Sequence, residues 1–382
     1  MPALPRITLD VTAAIHQTAG IGRYARDLTA ALVSHPAAWR LFVMGAGLRR
    51  RSLPVPPAPA VYRPSPLSHR THNRLWYRLR LPLPVELWTG RCDLFHALDF
   101  TLPPTLPGTR AVLTIHDLSF ERWPDETMPG MLRFLQAVVP RSAHRADHVI
   151  TDSEATRRDV IELYGLPPDR VTAVPLGVDP CFRPQAAAGE GERIRAKLGL
   201  PPDPFILTVG TMQPRKNHGR LVAAFARVAD RARLVIAGGH GWGYDAVLAE
   251  VERLGLRDRV TFTGFVDDAD LPALYRAAAA FAYPSLYEGF GLPVLEAMAC
   301  GLPVLAGDVS SLPEVVGPHG EAGLLVDPLD VGAIAAGLAR LLDDAPLRAH
   351  LARNAIARAG AFTWARAADL TWAVYQHVLS GG

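Results

Sequence analysis

The sequence predicts an α/β protein of two doubly wound, Rossmann-like domains, and three observations carry that prediction. The chain has 382 residues, more than one ordinary core accommodates, so two domains of usual size are expected. Short apolar runs of strand length alternate with helical patterns through both halves, as parallel sheets with helical crossovers require. Between the halves, Arg183 to Glu192 reads RPQAAAGEGE, a linker rich in Ala, Gly and Pro. Domains at 1–185 and 194–360 follow.

In the first half the apolar runs place strands at residues 7–11, 41–44, 94–97, 111–115, 148–151 and 171–175. Helical patterns fall at 22–34, 128–144 and 153–164, the last opened by Ser153 as N-cap with Glu154 in its first turn. The second half gives strands at 205–210, 234–237, 260–263, 279–283, 303–306 and 323–326, again alternating with helices. Helices at 331–343 and 346–359 then follow without a strand between them. The last pattern, 364–379, is amphipathic, with Trp364, Ala368, Trp372 and Tyr375 on one face.

Composition narrows the function classes. Hydrophobic residues make up 49% and charged residues 20%, the balance of a soluble globular protein. No apolar run has the length of a membrane span, and MPALPRITLDV lacks the apolar core of a signal peptide. Cys92, Cys181 and Cys300 are too widely spaced for a disulfide framework or a metal motif, so a cytoplasmic protein is expected. Of the 40 basic residues all but Lys197 and Lys216 are Arg. Between Arg49 and Arg91 nine Arg face a single acidic residue, Glu86, with Trp76 and Tyr77 interleaved. That segment reads as a solvated Arg-rich helix or as a peripheral contact with an anionic membrane. No nucleic-acid motif accompanies it, and no nucleic-acid partner is expected.

Chemistry concentrates in the second half. Ser285 to Gly301 reads SLYEGFGLPVLEAMACG, with Glu288 and Glu296 eight positions apart across Gly289, Phe290 and Gly291. The glycines let the backbone approach a ligand, and Leu292 or Pro293 opens a helix that Gly301 closes. One carboxylate on a loop and one on a helix can address two parts of a polyhydroxyl ligand. Directly after a strand, Gly210 to Asn217 reads GTMQPRKN, setting Arg215 and Lys216 at the start of the next helix, where a phosphate is favoured. In the first half, Thr18 to Tyr24 forms a glycine loop before a helix, and His116 with Asp117 ends a buried strand, as His96 ends another. Gly238 to Gly243 reads as a connection, and Asp267 to Asp270 as a helix cap.

These motifs resemble the GT-B retaining glycosyltransferases with a Glu-x7-Glu motif, the bacterial mannosyltransferase or group 1, family four set. The resemblance covers essentially the whole chain and is specific from Gly210 to Glu314. One departure is Gln213, where relatives often carry Glu. The resemblance implies two domains facing a cleft, with the 363–379 helix crossing back to the N-terminal, acceptor-binding domain. It implies that the C-terminal domain holds a nucleotide sugar. Arg215 and Lys216 would then stabilise the departing diphosphate, Glu288 would hold the donor sugar and Glu296 the ribose. Gly20, Gly22, Gly210, Val266, Gly289, Phe290, Gly291 and Leu292 would complete the donor site. His116 would face the sugar, with Asp117 and Tyr24 towards the acceptor. Its activity would be transfer of a hexose, GDP-mannose being the first choice of donor, to a glycan or lipid-linked acceptor. No metal or other cofactor is implied. A nucleotide-sugar 2-epimerase on the same fold and a non-catalytic nucleotide- or glycan-binding partner are the alternatives.

Overall fold

The protein, seen as a computed structural model, is described at residues 4–17, 20–37, 40–46 and 60–381. Thr18, Ala19 and the 49–59 part of the Arg-rich segment lie outside those residues. The chain forms two compact units, Met1–Gly177 with Thr363–Gly382, and Val178–Phe362. The two crossings lie side by side in sequence pairing: Val178 N donates to Phe362 O at 3.1 Å. Gly177 packs so closely on the returning chain that a Cβ would stand 2.2 Å from Trp364 N.

The first unit holds a seven-stranded parallel sheet of β1 (Arg6–Asp10), β2 (Arg40–Ala46), β3 (Val61–Ser65), β4 (Leu94–Ala97), β5 (Arg110–Ile115), β6 (His148–Thr151) and β7 (Val171–Ala173). Its order is β3-β2-β1-β4-β5-β6-β7, so the direction of winding reverses between β1 and β4. β4 and β6 are buried throughout, with His96 in β4 and His148 and Thr151 in β6 as the buried polar exceptions to their apolar residues. β3 escaped the sequence reading because it is an exposed edge strand carrying Pro64, which only an edge tolerates. The helix Ile21–Val33 buries Tyr24, Ala25, Leu28 and Leu32. Against it packs the amphipathic Trp364–Leu379, whose Tyr375 hydroxyl is hydrogen-bonded to His96 Nδ1 at 2.6 Å.

In the Arg-rich segment, the helix His69–Asn73 runs into a π-helical turn, Arg74–Arg78. Its aromatics serve the core: Trp76 stacks on His72 at 4.3 Å and meets Trp88 edge-on. Arg70, Arg74, Arg78 and Arg80 are exposed.

The second unit holds six parallel strands, β8 (Phe205–Val209), β9 (Arg233–Ala237), β10 (Val260–Gly264), β11 (Ala280–Tyr283), β12 (Val304–Gly307) and β13 (Leu324–Val326). The order β10-β9-β8-β11-β12-β13 reverses between β8 and β11. Ile206, Leu234, Ile236, Ala282 and Leu305 form its central core with Phe225, Ile334 and Leu338 from covering helices. The expected linker at 183–192 is partly helical, since Glu190–Leu198 forms a helix that starts with two acidic residues in its first turn. Among the described residues no helix is long and apolar enough to cross a membrane.

Candidate active site

Open α/β sheets bind ligands beyond the carboxyl ends of their strands, where the winding reverses. In the second unit that point lies between β8 and β11, and both sequence motifs arrive there. After β8, Pro214–Lys216 forms a 3-10 turn, and Asn217 follows in the left-handed region at φ 61°. The helix His218–Phe225 begins only beyond it. Arg215 and Lys216 therefore stand in the turn before the helix, not at its start as the spacing predicts. Asn217, 4% exposed, fixes that turn by donating from Nδ2 to Pro284 O at 2.9 Å and Pro328 O at 2.6 Å.

The cations converge on one carboxylate. Lys216 Nζ donates to Glu288 Oε1 at 2.7 Å and to the Tyr283 hydroxyl at 2.5 Å. Arg215 Nη1 stands 3.3 Å from Glu288 Oε2 and donates to Tyr287 O at 3.0 Å. Burial would push the Glu288 carboxyl up, but the Lys216 and Arg215 charges and hydrogen bonds outweigh it and hold it at about 2. The motif reading missed three serines that complete this arrangement. Ser285 Oγ donates to Glu288 Oε1 at 2.6 Å, and Ser310 Oγ accepts from Glu288 N at 2.9 Å. Ser311 Oγ donates to the carbonyls of Glu288 and Phe290. Their only signal is position, since all three follow the carboxyl ends of β11 and β12.

Glu296 lies in the second turn of the helix Leu292–Ala299, buried, with Oε2 accepting from the Tyr275 hydroxyl at 2.9 Å. It stands near enough to act on the Tyr283 hydroxyl, as Glu288 does more strongly. Gly291 caps the helix at φ 108°, where a side chain would also meet Leu312. Gly289 and Phe290 are buried and Leu292 half-buried, while Val266 is buried just after β10. Gly238 and Gly241 have a packing reason. A Cβ on either would come within 2.1 Å of Gly210 O or 2.3 Å of Met212 O, so the connection is clamped to the GTM backbone. Asp270 is the N-cap position of Leu271–Ala277, but its side chain makes no cap; it pairs with Lys197 at 2.5 Å.

In the first unit, His116 follows β5. Its Nδ1 donates to Asp152 Oδ2 at 2.8 Å and its Nε2 to Leu98 O at 2.9 Å. Burial alone would lower the imidazole; the Asp152 charge and hydrogen bond, with Asp99 beyond, raise it to about 9. Tyr24, 2% exposed, meets His116 edge-on at 4.8 Å, its hydroxyl bonded to Thr114. It thus supports His116 from within. Asp117 Oδ1 accepts from Ser119 N. His96 is fully buried between Thr114 and Tyr375, a structural position. Gly20 starts the helix Ile21–Val33 at φ 54°, and a Cβ on Gly22 would strike Gln17 O at 1.9 Å. Residues 20 and 22 are thereby required by the turn itself, whatever they bind. The sequence reading passed over Asp152, and over a cavity at the β1/β4 reversal lined by Asp10, His16, Gln17, His69, Asn73 and Asp99 among others.

Comparisons with known proteins agree with this layout. Residues 18–182 match the family described as Glycosyltransferase Family 4, and residues 190–358 match Glycosyl transferases group 1. The chain is 34% identical over 376 residues to the O-antigen chain mannosyltransferase B of Escherichia coli, covering 94% of this chain and 96% of that protein. It is 38% identical over 248 residues to a D-inositol 3-phosphate glycosyltransferase of Acidothermus cellulolyticus, covering 62% of this chain and 54% of that protein. Sucrose-phosphate synthase from Thermosynechococcus elongatus superposes with a TM-score of 0.76 at 24% identity, over 99% of this chain and 100% of the other.

Proposed function

The chain belongs to the glycosyltransferases of group 1 and family 4, with their GT-B fold of two Rossmann-like domains, and from that premise we propose that it transfers mannose from GDP-mannose to a hydroxyl of a glycan or lipid-linked acceptor, retaining the anomeric configuration. The sugar rests on the relative matched along nearly the whole chain, which is named a mannosyltransferase. The observation that carries the chemistry is the gathering of Arg215 and Lys216 on Glu288 where the second sheet reverses.

In this reading the two cations take the donor diphosphate and stabilise the charge that develops as it leaves. Glu288 and Tyr283 hold the Lys216 ammonium in place before the reaction, so little reorganisation is needed at the transition state. Glu288 and Glu296 then accept from sugar and ribose hydroxyls. The departing phosphate takes the acceptor proton in a front-face route. With both charges supplied by side chains, no metal is required. The exposed Arg70, Arg74, Arg78 and Arg80 give the first unit a peripheral contact with anionic lipid at a cytoplasmic membrane face.

Lys216→Ala tests the assignment. Loss of one preorganised donor to a developing anion should lower turnover by roughly 100- to 1000-fold, with a smaller change in donor affinity. Unchanged turnover would end the reading. A thermal-shift panel of GDP, UDP, dTDP and their sugars tests the donor, since a tight ligand raises the midpoint by mass action. Product formed without acceptor would favour the epimerase alternative. No turnover of any donor, not even hydrolysis, would favour the non-catalytic one.

A further inference from the structure

A groove in the second unit lies at the end of its sheet opposite the cluster of Arg215, Lys216 and Glu288. Its floor is made by Tyr275, Cys300, Leu302 and Pro303, all buried, and the last two lead directly into β12. The groove therefore sits at the amino ends of the strands, whereas Glu288 follows the carboxyl end of β11. It encloses about 440 Å³, within the size range of small-molecule sites. Two guanidinium groups line it, and their partners differ. Arg276 is engaged by Glu190, to whose carboxylate Nε and Nη2 donate at 2.9 and 2.6 Å, and its Nη1 donates to Arg183 O. Arg348 Nη1 donates to Leu341 O at 3.1 Å and Leu342 O at 2.6 Å. Among the described residues its Nε and Nη2 have no hydrogen-bond partner, and its charge has no carboxylate. Asp344, one turn earlier, accepts from Leu347 N instead.

We infer that this groove is an effector site for a small monocarboxylate with a slender apolar tail, coupled to Glu296 through Tyr275. The free Nε and Nη2 of Arg348 form the edge that grips a carboxylate through two parallel hydrogen bonds. One uncompensated cation suits one negative charge. A phosphate dianion would need Arg276 as well, which Glu190 neutralises. Burial pushes the Cys300 thiol up to about 12, so it stays uncharged and does not repel the anion. The tail lies on Leu302, Pro303 and the Tyr275 ring, beside the small side chains of Ala349 and Ala352. Both ends of one hydrogen bond of the donor site belong to elements that wall this groove. Tyr275 lines it and donates from its hydroxyl to Glu296 Oε2 at 2.9 Å. Cys300 and Gly301, also in the wall, end the helix Leu292–Ala299 that carries Glu296. A ligand seated here therefore biases the Glu296 carboxylate; that this regulates donor binding rests on the ribose role proposed above. The amino ends of parallel strands are not where such sheets bind their substrates, which favours a regulatory occupant.

The test uses saturation-transfer NMR on the full chain, with hexanoate as the probe and hexanamide as its uncharged counterpart. Hexanoate should bind, and hexanamide should bind about tenfold more weakly, the scale of a lost hydrogen bond to a charged group. Arg348→Gln should weaken hexanoate by a similar factor. Ala349→Phe, at an exposed helix position, fills the groove and keeps the test readable should Arg348→Gln lower the folded yield. Hydrogen exchange reads the coupling without any nucleotide. Saturating hexanoate should slow the amides of Leu292–Ala299 in the parent and leave them unchanged in Ala349→Phe. No binding of hexanoate, hexanamide within twofold of it, affinities within twofold of the parent in both variants, or unchanged exchange in that helix would each overturn the assignment. The donor reading fails separately, in the nucleotide thermal-shift panel, which needs no ligand in this groove.

Discussion

His116 carries the clearest consequence of a single residue's surroundings. Both ring nitrogens donate, to Asp152 and to Leu98 O, in a site where the side chain is 8% exposed. The folded group titrates near 9 against an ordinary 6.5, so its pairing contributes stability that is fully present below about pH 6.5. That contribution is lost as pH rises through about 9, on the order of 3 kcal/mol if no other group intervenes. Melting temperature should therefore fall between about pH 6.5 and 9.5, and Asp152→Asn should flatten that fall by removing the charge that raises His116. An equally steep fall in the variant would mean the pair is not its source. A charged imidazole with both nitrogens occupied also serves as a donor of positive charge, not as a base. The strand-end rule found His116 from sequence, yet Asp152 escaped because the adjacent Ser153 already explained its segment as a helix cap. Two partners 36 positions apart have no local signature.

At the scale of elements, periodicity was legible and partners were not. The 364–379 pattern matches the helix Trp364–Leu379 to the residue, but nothing in it pointed to His96. Burial takes that histidine down to about 3, so it is neutral, and its Nδ1 shares a hydrogen bond with the Tyr375 hydroxyl while Nε2 meets Thr114. Tyr375→Phe keeps the ring and its packing but strands a polar nitrogen inside the unit. The expected loss is about 1–3 kcal/mol in denaturant unfolding of the first unit, the cost of an unsatisfied buried group. A change within experimental error would show that the bond is not what seats the helix. The GTMQPRKN motif marks the opposite limit. Its pair of cations was legible, but Asn217 adopts a left-handed conformation that delays the helix and turns Arg215 and Lys216 towards Glu288. Asn tolerates that region better than most residues, and its side-chain bonds to Pro284 and Pro328, distant in sequence, stabilise it there.

For the whole molecule, chain order and fold part company at the C-terminus. Alternating apolar runs revealed two parallel sheets, because strands buried on both faces are largely apolar along their length. They did not reveal where each sheet reverses, which depends on strand order, and so the cavity beside Asp10 and Asp99 stayed hidden. The first unit is discontinuous: residues Thr363–Gly382 complete it after the second unit has been traversed. Trp364–Leu379 buries Ala367, Ala368, Thr371, Val374, Tyr375 and Val378, largely against the helix Ile21–Val33 and beside β5 and β6. Deleting 363–382 exposes that apolar face and leaves His96 without Tyr375, whereas the second unit keeps its own sheet and core intact. Hydrogen exchange on the truncated chain should then show amide protection lost across β1 to β7 and retained across β8 to β13, with nucleotide still raising the stability of the second unit. The loss in the first unit should be nearly complete, because a helix face of this kind contributes several kcal/mol against a total stability of only about 5–15 kcal/mol. Protection lost equally in both units would mean that they fold as one cooperative body. Protection retained in both would mean that the returning helix is dispensable.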